Sequence, residues 1–344
     1  MNVKLKDIAA AAGVSISTVS RVLSQDPVKR PSVATAKRVI ETAKRLGYDS
    51  EMEKSIRERR DILSRKTAIG CVIISEFESF RDAFFSSILD GVKQEAKKMG
   101  ISLKFALAFS DDPSEFDQKI TSTDVDGIVL MGRISQDQLN FMKAHFPSIV
   151  YAGLSPVGHD IDEVICDIYD ATCTAMNHLF SLNHKTIGFL GTVPDEIKDN
   201  VINEYRYAAY CQSLTSHQLP IDKNHVRHIP LTTKDGFQAM KDLIQTGQLP
   251  SAVFCSNDNV AIGAIRAIAD AGLAIPKDIS VISIDNTGLG SYIRPSLTTV
   301  DVPKEELGRF AVKLLEDRIT SQRNTHCVVS FPHQLIVRES SDIL

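Results

Sequence analysis

Apolar positions along the chain change rhythm near residue 67, and the change divides it in two. Before that point they recur at helical spacing in short runs. Leu5-Lys6-Asp7-Ile8-Ala9-Ala10-Ala11-Ala12 carries them three and four apart, and Gly13 interrupts the pattern. Val14 to Leu23 follows, reading V-S-I-S-T-V-S-R-V-L, with Val19, Val22 and Leu23 on one face. Ile16, Ser17, Ser20 and Arg21 lie toward the other face, and Ser15 stands at the N-cap position. Two short helices around a glycine turn predict a helix-turn-helix. Ser32 begins a third predicted helix that runs to about Leu46, with Val39, Ile40, Ala43 and Leu46 inward and Gly47 ending it. Spacing alone leaves open a plain amphipathic helix pair, common in globular proteins.

From Ala68 the pattern is different. Ala68–Ile74 is a continuous apolar run, as a parallel strand covered on both faces requires. A helix is predicted over Ala83–Met99, with Gly100 at its end, then strands at Ile101–Ala108, Gly127–Met131 and Ile149–Ala152. Helices near Pro113–Thr121 and Asp137–His145 separate them. The alternation then starts over. Strands at Thr186–Leu190, Val226–Ile229, Ala252–Cys255 and Ile279–Ile284 alternate with helices near Tyr169–Leu182, Glu204–Leu214, Thr233–Thr246 and Val260–Ala271. Two successive β-α series predict an α/β body of two parallel-sheet lobes flanked by helices.

Composition narrows the class. At 344 residues the chain is long enough for two or three compact units, and 43% apolar with 24% charged residues is ordinary for a water-soluble protein. No apolar run is long enough to span a membrane, and Met1 to Asp7 lack the apolar core of a signal peptide. Six scattered cysteines without a C-x-x-C pair fit reduced thiols in a cytoplasm. The formal charge of −4 hides a division: residues 1–66 hold fifteen Lys/Arg against eight Asp/Glu, a net +7, and the remainder carries −11. A basic head on an acidic body is the pattern expected when only the head meets phosphate.

Enzyme chemistry finds no support. Gly288-Leu289-Gly290 follows a strand, but residue 293 is Ile, so no dinucleotide fingerprint is completed. No G-x-S-x-G, P-loop or H-E-x-x-H occurs, and no cofactor or metal is expected. A transporter's solute-binding protein would suit the body alone; the basic head and the missing signal peptide argue against it.

The run Leu5-Lys6-Asp7-Ile8-Ala9, Ala12-Gly13-Val14-Ser15, Thr18-Val19-Ser20-Arg21-Val22-Leu23 closely resembles the N-terminus of the lactose/galactose repressor family. The resemblance covers essentially the whole chain and is strongest in the head and from Ser251 to Val300. It implies a three-helix DNA-binding head (1–49), a hinge (50–66) and a two-lobed body similar to periplasmic sugar-binding proteins (67–344). Lobe 1 is expected at about 67–168 and 301–324, and lobe 2 at about 169–300 and 325–344. The crossing back begins near Leu297–Val300 and continues through Pro303–Thr320, and the tail Gln334–Val337 returns to lobe 2.

Residue by residue, the resemblance implies DNA contacts by Leu5, Ser15, Ile16, Ser17, Thr18, Ser20, Arg21, Ser32, Thr35, Tyr48 and Ile56. Ser15, Thr18, Ser20, Ser32, Thr35 and Tyr48 would meet phosphates; Ile16, Ser17 and Arg21 would read bases, Arg21 bridging guanine O6 and N7. The hinge departs from the family's Y-x-P-N-x-x-A-R-x-L. No proline follows Tyr48, Glu51 replaces the asparagine, and Arg57 stands where a leucine would wedge into the minor groove. Ile56 is the candidate substitute wedge; a solvated linker touching phosphates through Arg57, Arg59 and Arg60 is the alternative.

Ligands of such bodies bind in the cleft at the carboxyl ends of the strands. Asn257 follows one strand, Asp285 follows another, and Arg206 opens a helix, so an amide, a carboxylate and a guanidinium can hold adjacent sugar hydroxyls. Each has a plainer use: a helix cap, a turn with Asn286, a surface ion pair. The resemblance implies that Arg206, Asn257 and Asp285 bind the effector, with Asp167 bonding it or bracing the cleft and Phe85, beside Phe84, supplying an apolar wall or packing in the core. No Trp is available for stacking, and Ile229 and Leu231 lie where the second lobe's platform is expected. The implied function is a sugar-responsive transcription factor that binds pseudo-palindromic operator DNA, looking most like repressors of galactose and β-galactoside operons. A homodimer is expected, because the C-terminal residues carry no apolar heptads.

Overall fold

A computed structural model describes residues 3–23, 33–48, 67–74, 82–109, 116, 120, 123–158, 160–193, 201–321 and 323–343. The chain forms two compact units, residues 1–66 and 67–344.

In the first unit, α1 (Leu5–Ala12), α2 (Ile16–Leu23) and α3 (Val33–Leu46) enclose Ile8, Ala9, Ala12, Val19, Val22, Val39 and Ala43. Gly13 ends α1 in the left-handed region, at φ +66°, where a β-carbon is disfavoured, and its N–H bonds back to Ala9 O. Leu5, Leu23 and Tyr48 pack against this core from its edge. Ile40 and Leu46 do not turn inward as the periodicity predicts, being 42% and 36% exposed. Ile40 is rotated about 100° from Val39, and Leu46 lies in the last turn. The hinge, with Ile56, and Ser32 lie outside the described residues.

The second unit runs β1 (Ala68–Ile74), α4 (Ala83–Met99), β2 (Ser102–Phe109), β3 (Gly127–Gly132), α5 (Gln136–His145), β4 (Ile149–Gly153), β5 (Asp162–Ile165). It continues through α6 (Ile168–Ser181), β6 (Ile187–Gly191), α7 (Arg206–Ser216), β7 (Val226–His228), α8 (Thr233–Gln245), β8 (Ala252–Cys255), α9 (Asp258–Asp270) and β9 (Ser280–Asp285). β10 (Thr298–Asp301), α10 (Lys304–Ser321), β11 (Val328–Ser330) and β12 (Gln334–Ile336) complete it. Of the predicted helix Pro113–Thr121, only Phe116 and Ile120 are among the described residues.

Two six-stranded sheets result, ordered β11-β5-β4-β3-β1-β2 and β12-β10-β9-β8-β6-β7. Every pairing is parallel except β10 with β12. The unbroken apolar runs of β1, β3, β4, β6 and β8 are buried along their whole length, as helices on both faces require.

Two expected crossings shift. Leu297–Val300 does not yet leave lobe 2, because β10 pairs with β9 and β12; the chain crosses after Asp301. The segment from 325 does not return to lobe 2 at once, because β11 adds to the edge of the first sheet beside β5. The cause is Asp162 at the start of β5, whose carboxylate accepts from Arg318, Arg323 and the Cys327 N–H and fastens the returning chain there. Strand β5 itself escapes the hydrophobic pattern, because its four residues begin with Asp162-Glu163.

Each lobe has one helix pair in backbone contact. A β-carbon on Gly91 of α4 would lie 2.1 Å from Glu305 O, and one on Gly308 of α10 would lie 2.0 Å from Ile88 O. The second lobe repeats the device between α8 and α9, with Gly236 against Val260 O and Gly263 against Thr233 O.

Candidate DNA-binding face and effector cleft

The head presents a polar ridge. Ser15 Oγ accepts the Thr18 N–H at 3.2 Å, which makes it the N-cap of α2. Ser17 and Thr18 hydroxyls lie 2.9 Å from the same oxygen. Arg21 Nε donates to Ser17 O at 3.0 Å and its Nη2 to Ser17 Oγ at 3.2 Å, so the guanidinium is braced along the outer face of α2. Ile16 is 52% exposed, and Ser17 and Ser20 are also exposed. Val19 and Val22, on the opposite face, hold the helix to the core. Thr35 and Tyr48 are half-buried, and Leu5 belongs to the packing rather than to the open surface.

In the body, a cleft opens between the two sheets. Ile74, Phe84, Phe85, Tyr151, Leu154 and Ser155 line it from lobe 1; Asn203, Arg206, Leu231, Asn257 and Asp285 line it from lobe 2. Phe84 and Phe85 meet edge to face, at 5.3 Å between centroids.

Asp285 ends β9 at φ +120° and Asn286 follows at φ +50°, two non-glycine residues in a region that side chains disfavour. Surrounding bonds hold this kink. Asn286 donates to Asp301 at 2.9 Å and accepts from Arg338 at 2.7 Å, while Lys304 Nζ donates to the Asp285 carbonyl. The turn with Asn286 therefore exists, and it leaves the Asp285 carboxylate on the cleft with Oδ1 unpartnered. Burial pushes this carboxyl well above the usual carboxylate range, the nearby Asp258 adds to the rise, and Arg206 and Lys304 oppose it.

Asn257 does cap its helix: Oδ1 accepts the Val260 N–H at 2.9 Å, and Nδ2 donates to Leu231 O at 3.3 Å. It lines the cleft nonetheless, with one amide hydrogen beyond those bonds. Arg206 is no surface residue. It is buried and paired with the buried Glu204 at 2.5 Å, and its Nε has no partner. Ser155 Oγ, also buried, is unpartnered on the opposite wall.

Asp167 is not brought to the cleft. It is exposed, and it caps α6 by accepting the Tyr169 and Asp170 N–H groups at 2.9 and 3.3 Å. A carboxylate at a helix N-terminus is satisfied by those donors.

Four cleft features escape a reading of the sequence. Glu204 sits two residues before Arg206, a spacing that does not face within a helix; it does here because α7 begins only at Arg206. Asn203 crosses between lobes, accepting the Ile134 N–H at 2.9 Å and donating to Gly132 O at 3.0 Å and Tyr151 Oη at 2.8 Å. Arg133 Nη1 donates to Thr192 Oγ1 at 2.6 Å, and Asn259 Nδ2 to Asp82 Oδ2 at 3.2 Å. Burial raises the Asp82 carboxyl above its ordinary range despite the Phe84 and Phe85 N–H groups and the Asn259 amide. Among the described residues, no group of His, Cys, Asp and Glu could hold a metal, and no helix is long and apolar enough to cross a membrane.

Comparison with known proteins accounts for both units. Residues 4–51 match the model of bacterial regulatory proteins of the lacI family, and residues 176–341 match that of the periplasmic binding protein-like domain. The chain is 31% identical to the HTH-type transcriptional repressor MelR of Bacillus subtilis (strain 168), over 98% of this chain and 97% of that protein. It is 30% identical to catabolite control protein A of Priestia megaterium, over 99% and 100%. Among solved structures, a complex of the transcriptional regulator CelR with cellobiose superimposes with a TM-score of 0.72 at 26% identity, over 99% of this chain and all of that one. The three-helix head, the two-lobed parallel body and these full-length matches place the chain in the lacI family: it is a DNA-binding transcriptional repressor and not an enzyme.

Proposed function

We propose that the protein, acting in the cytoplasm as a homodimer, represses a sugar-utilisation operon and leaves its pseudo-palindromic operator when a sugar fills the cleft. Galactose or a galactoside is the favoured effector. The observation that carries this reading is that three residues lining the cleft, Arg206, Asp285 and Ser155, each hold a buried polar atom without a partner (Nε, Oδ1 and Oγ), beside the Asn257 amide. Buried polar groups without partners cost stability until a ligand satisfies them. A vicinal diol does so, one hydroxyl accepting from Arg206 and another donating to Asp285. Phe84 and Phe85 would cover the apolar C–H face that galactose presents away from its axial hydroxyl. In the head, Ser15, Thr18, Ser20, Ser32, Thr35 and Tyr48 would set position on phosphates, and Ile16, Ser17 and Arg21 would read base edges, with Leu5 supporting the ridge.

The test is fluorescence anisotropy of labelled DNA from upstream of the gene, titrated at fixed salt with and without galactose, lactose, cellobiose and other sugars. Specific binding that one sugar weakens supports the proposal. Binding strengthened by a sugar would reverse the sign of the switch, since linkage requires the effector to prefer whichever state it populates. Arg206→Ala should abolish the sugar response while operator binding persists; equal loss of both would assign Arg206 to the fold alone.

A further inference from the structure

We infer that Glu204 fixes the charge of the effector, making the cleft a receiver for neutral sugars and closing it to sugar phosphates and sugar acids. This rests on the sugar-effector reading above and adds to it a residue and a rejected class. A cleft with a buried arginine beside a helix N-terminus is by itself well suited to an anion, since guanidinium and first-turn N–H groups both point toward negative charge. Both are present here, because α7 begins at Arg206. One carboxylate engages both, bonding a guanidinium nitrogen and the first N–H of the helix. Glu204 Oε2 pairs with Arg206 Nη1 at 2.5 Å, and Glu204 Oε1 accepts the Arg206 backbone N–H at 3.2 Å. Its side chain is 1% exposed, so solvent does not screen the pair.

The neighbouring charges reinforce the exclusion. Asp285, on the same wall, is a carboxyl whose charged form burial and Asp258 already disfavour, so a further negative charge beside it is disfavoured too. Asp258 lies buried behind it and accepts from Ser283, Thr299 and both the N–H and hydroxyl of Thr287. Arg133, a second cation on the cleft wall, is engaged with Thr192, and Lys304, beside Asp285, bonds the Asp285 and Val302 carbonyls. A phosphate or carboxylate entering here would be desolvated against a wall whose arginine already has its counter-ion, which costs more than the remaining donors return. A hydroxyl brings no charge, and Arg206 Nε remains free to donate to it.

The experiment is calorimetric titration of the full chain with matched pairs: galactose against galactose 6-phosphate and galacturonate, and glucose and cellobiose against their 6-phosphorylated forms. The unmodified protein should bind a neutral sugar and show no heat with its charged counterpart. In Glu204→Gln the preference should narrow by about tenfold or more, with the charged sugar gaining, and Glu204→Asp, which keeps the charge, should restore it. Charged sugars that bind the unmodified protein as well as the neutral ones would overturn the role of Glu204 and leave the sugar reading standing. Absence of binding by every sugar of either class would overturn the sugar reading, and this inference with it.

Discussion

Asp162 has no solvent-exposed surface and accepts from two guanidiniums and a backbone N–H. Burial alone would raise its carboxyl; the Arg318 and Arg323 bonds outweigh that and hold it down at about 2. A carboxyl depressed in the folded state adds stability above its unfolded value, and that stability disappears as pH falls through the folded one. Chemical denaturation should therefore find Asp162→Asn less stable than the unmodified chain by about 2 kcal/mol above pH 4. The difference should close as pH approaches 2; a gap that did not change with pH would show that packing, not charge, makes the contribution. The cleft is a second case in which local context decides. Arg206, Asn257 and Asp285 could be named from the sequence because each falls where a strand ends or a helix begins, and such positions reach the cleft in any doubly wound lobe. Ser155 and Tyr151 could not, because their place depends on how closely the opposite lobe approaches. Asp167 shares that positional signal and caps its own helix through Oδ1.

Helices α4 and α10 are more than 200 residues apart in sequence, yet they touch backbone to backbone. Gly91 and Gly308 permit it reciprocally, and Gly236 and Gly263 repeat the arrangement between α8 and α9. Gly308→Ala would place a methyl 2.0 Å from the Ile88 carbonyl, so the helices must part. The expected loss is about 2 kcal/mol, visible as a lowered midpoint in urea; an unchanged midpoint would mean that the pair tolerates separation. Periodicity identified most of these helices and strands to within a residue or two, because long amphipathic helices and fully buried parallel strands leave strong patterns. It gave no sign of the glycine contacts, which join elements distant in sequence, nor of β5 and β11, which are short and partly polar. Nor does it separate Ile40 and Leu46 of α3, which are apolar and exposed, from the core positions Val39 and Ala43.

Across the body, the two lobes meet through Asn203 with Ile134 and Gly132, through Arg133 with Thr192, and through Asn259 with Asp82. Each of these bonds joins one lobe to the other, so parting the lobes would break it. A ligand that needs the closed form pays for closure from its own binding energy, so removing a tie lowers the fraction of competent protein and the apparent affinity together. Asn203→Ala should weaken sugar binding about tenfold and leave the head's affinity for operator DNA in the absence of sugar near its original value. Sugar affinity that stays the same would mean closure does not depend on this amide.

The path of the chain also orders its own synthesis. Lobe 1 is begun at β1, but α10, which packs against α4 and its sheet, and β11 at that sheet's edge are made only after the strands β6 to β10 of lobe 2. The head leaves the ribosome first and has its own core. The first lobe must then wait, with Gly91 of α4 and the β5 edge uncovered, while roughly 130 further residues are translated, on the order of ten seconds at bacterial rates. During that interval the nascent chain presents a finished DNA-binding end and an unfinished sheet. Chaperones that shield apolar strand edges would have this segment, rather than the head, as their natural client.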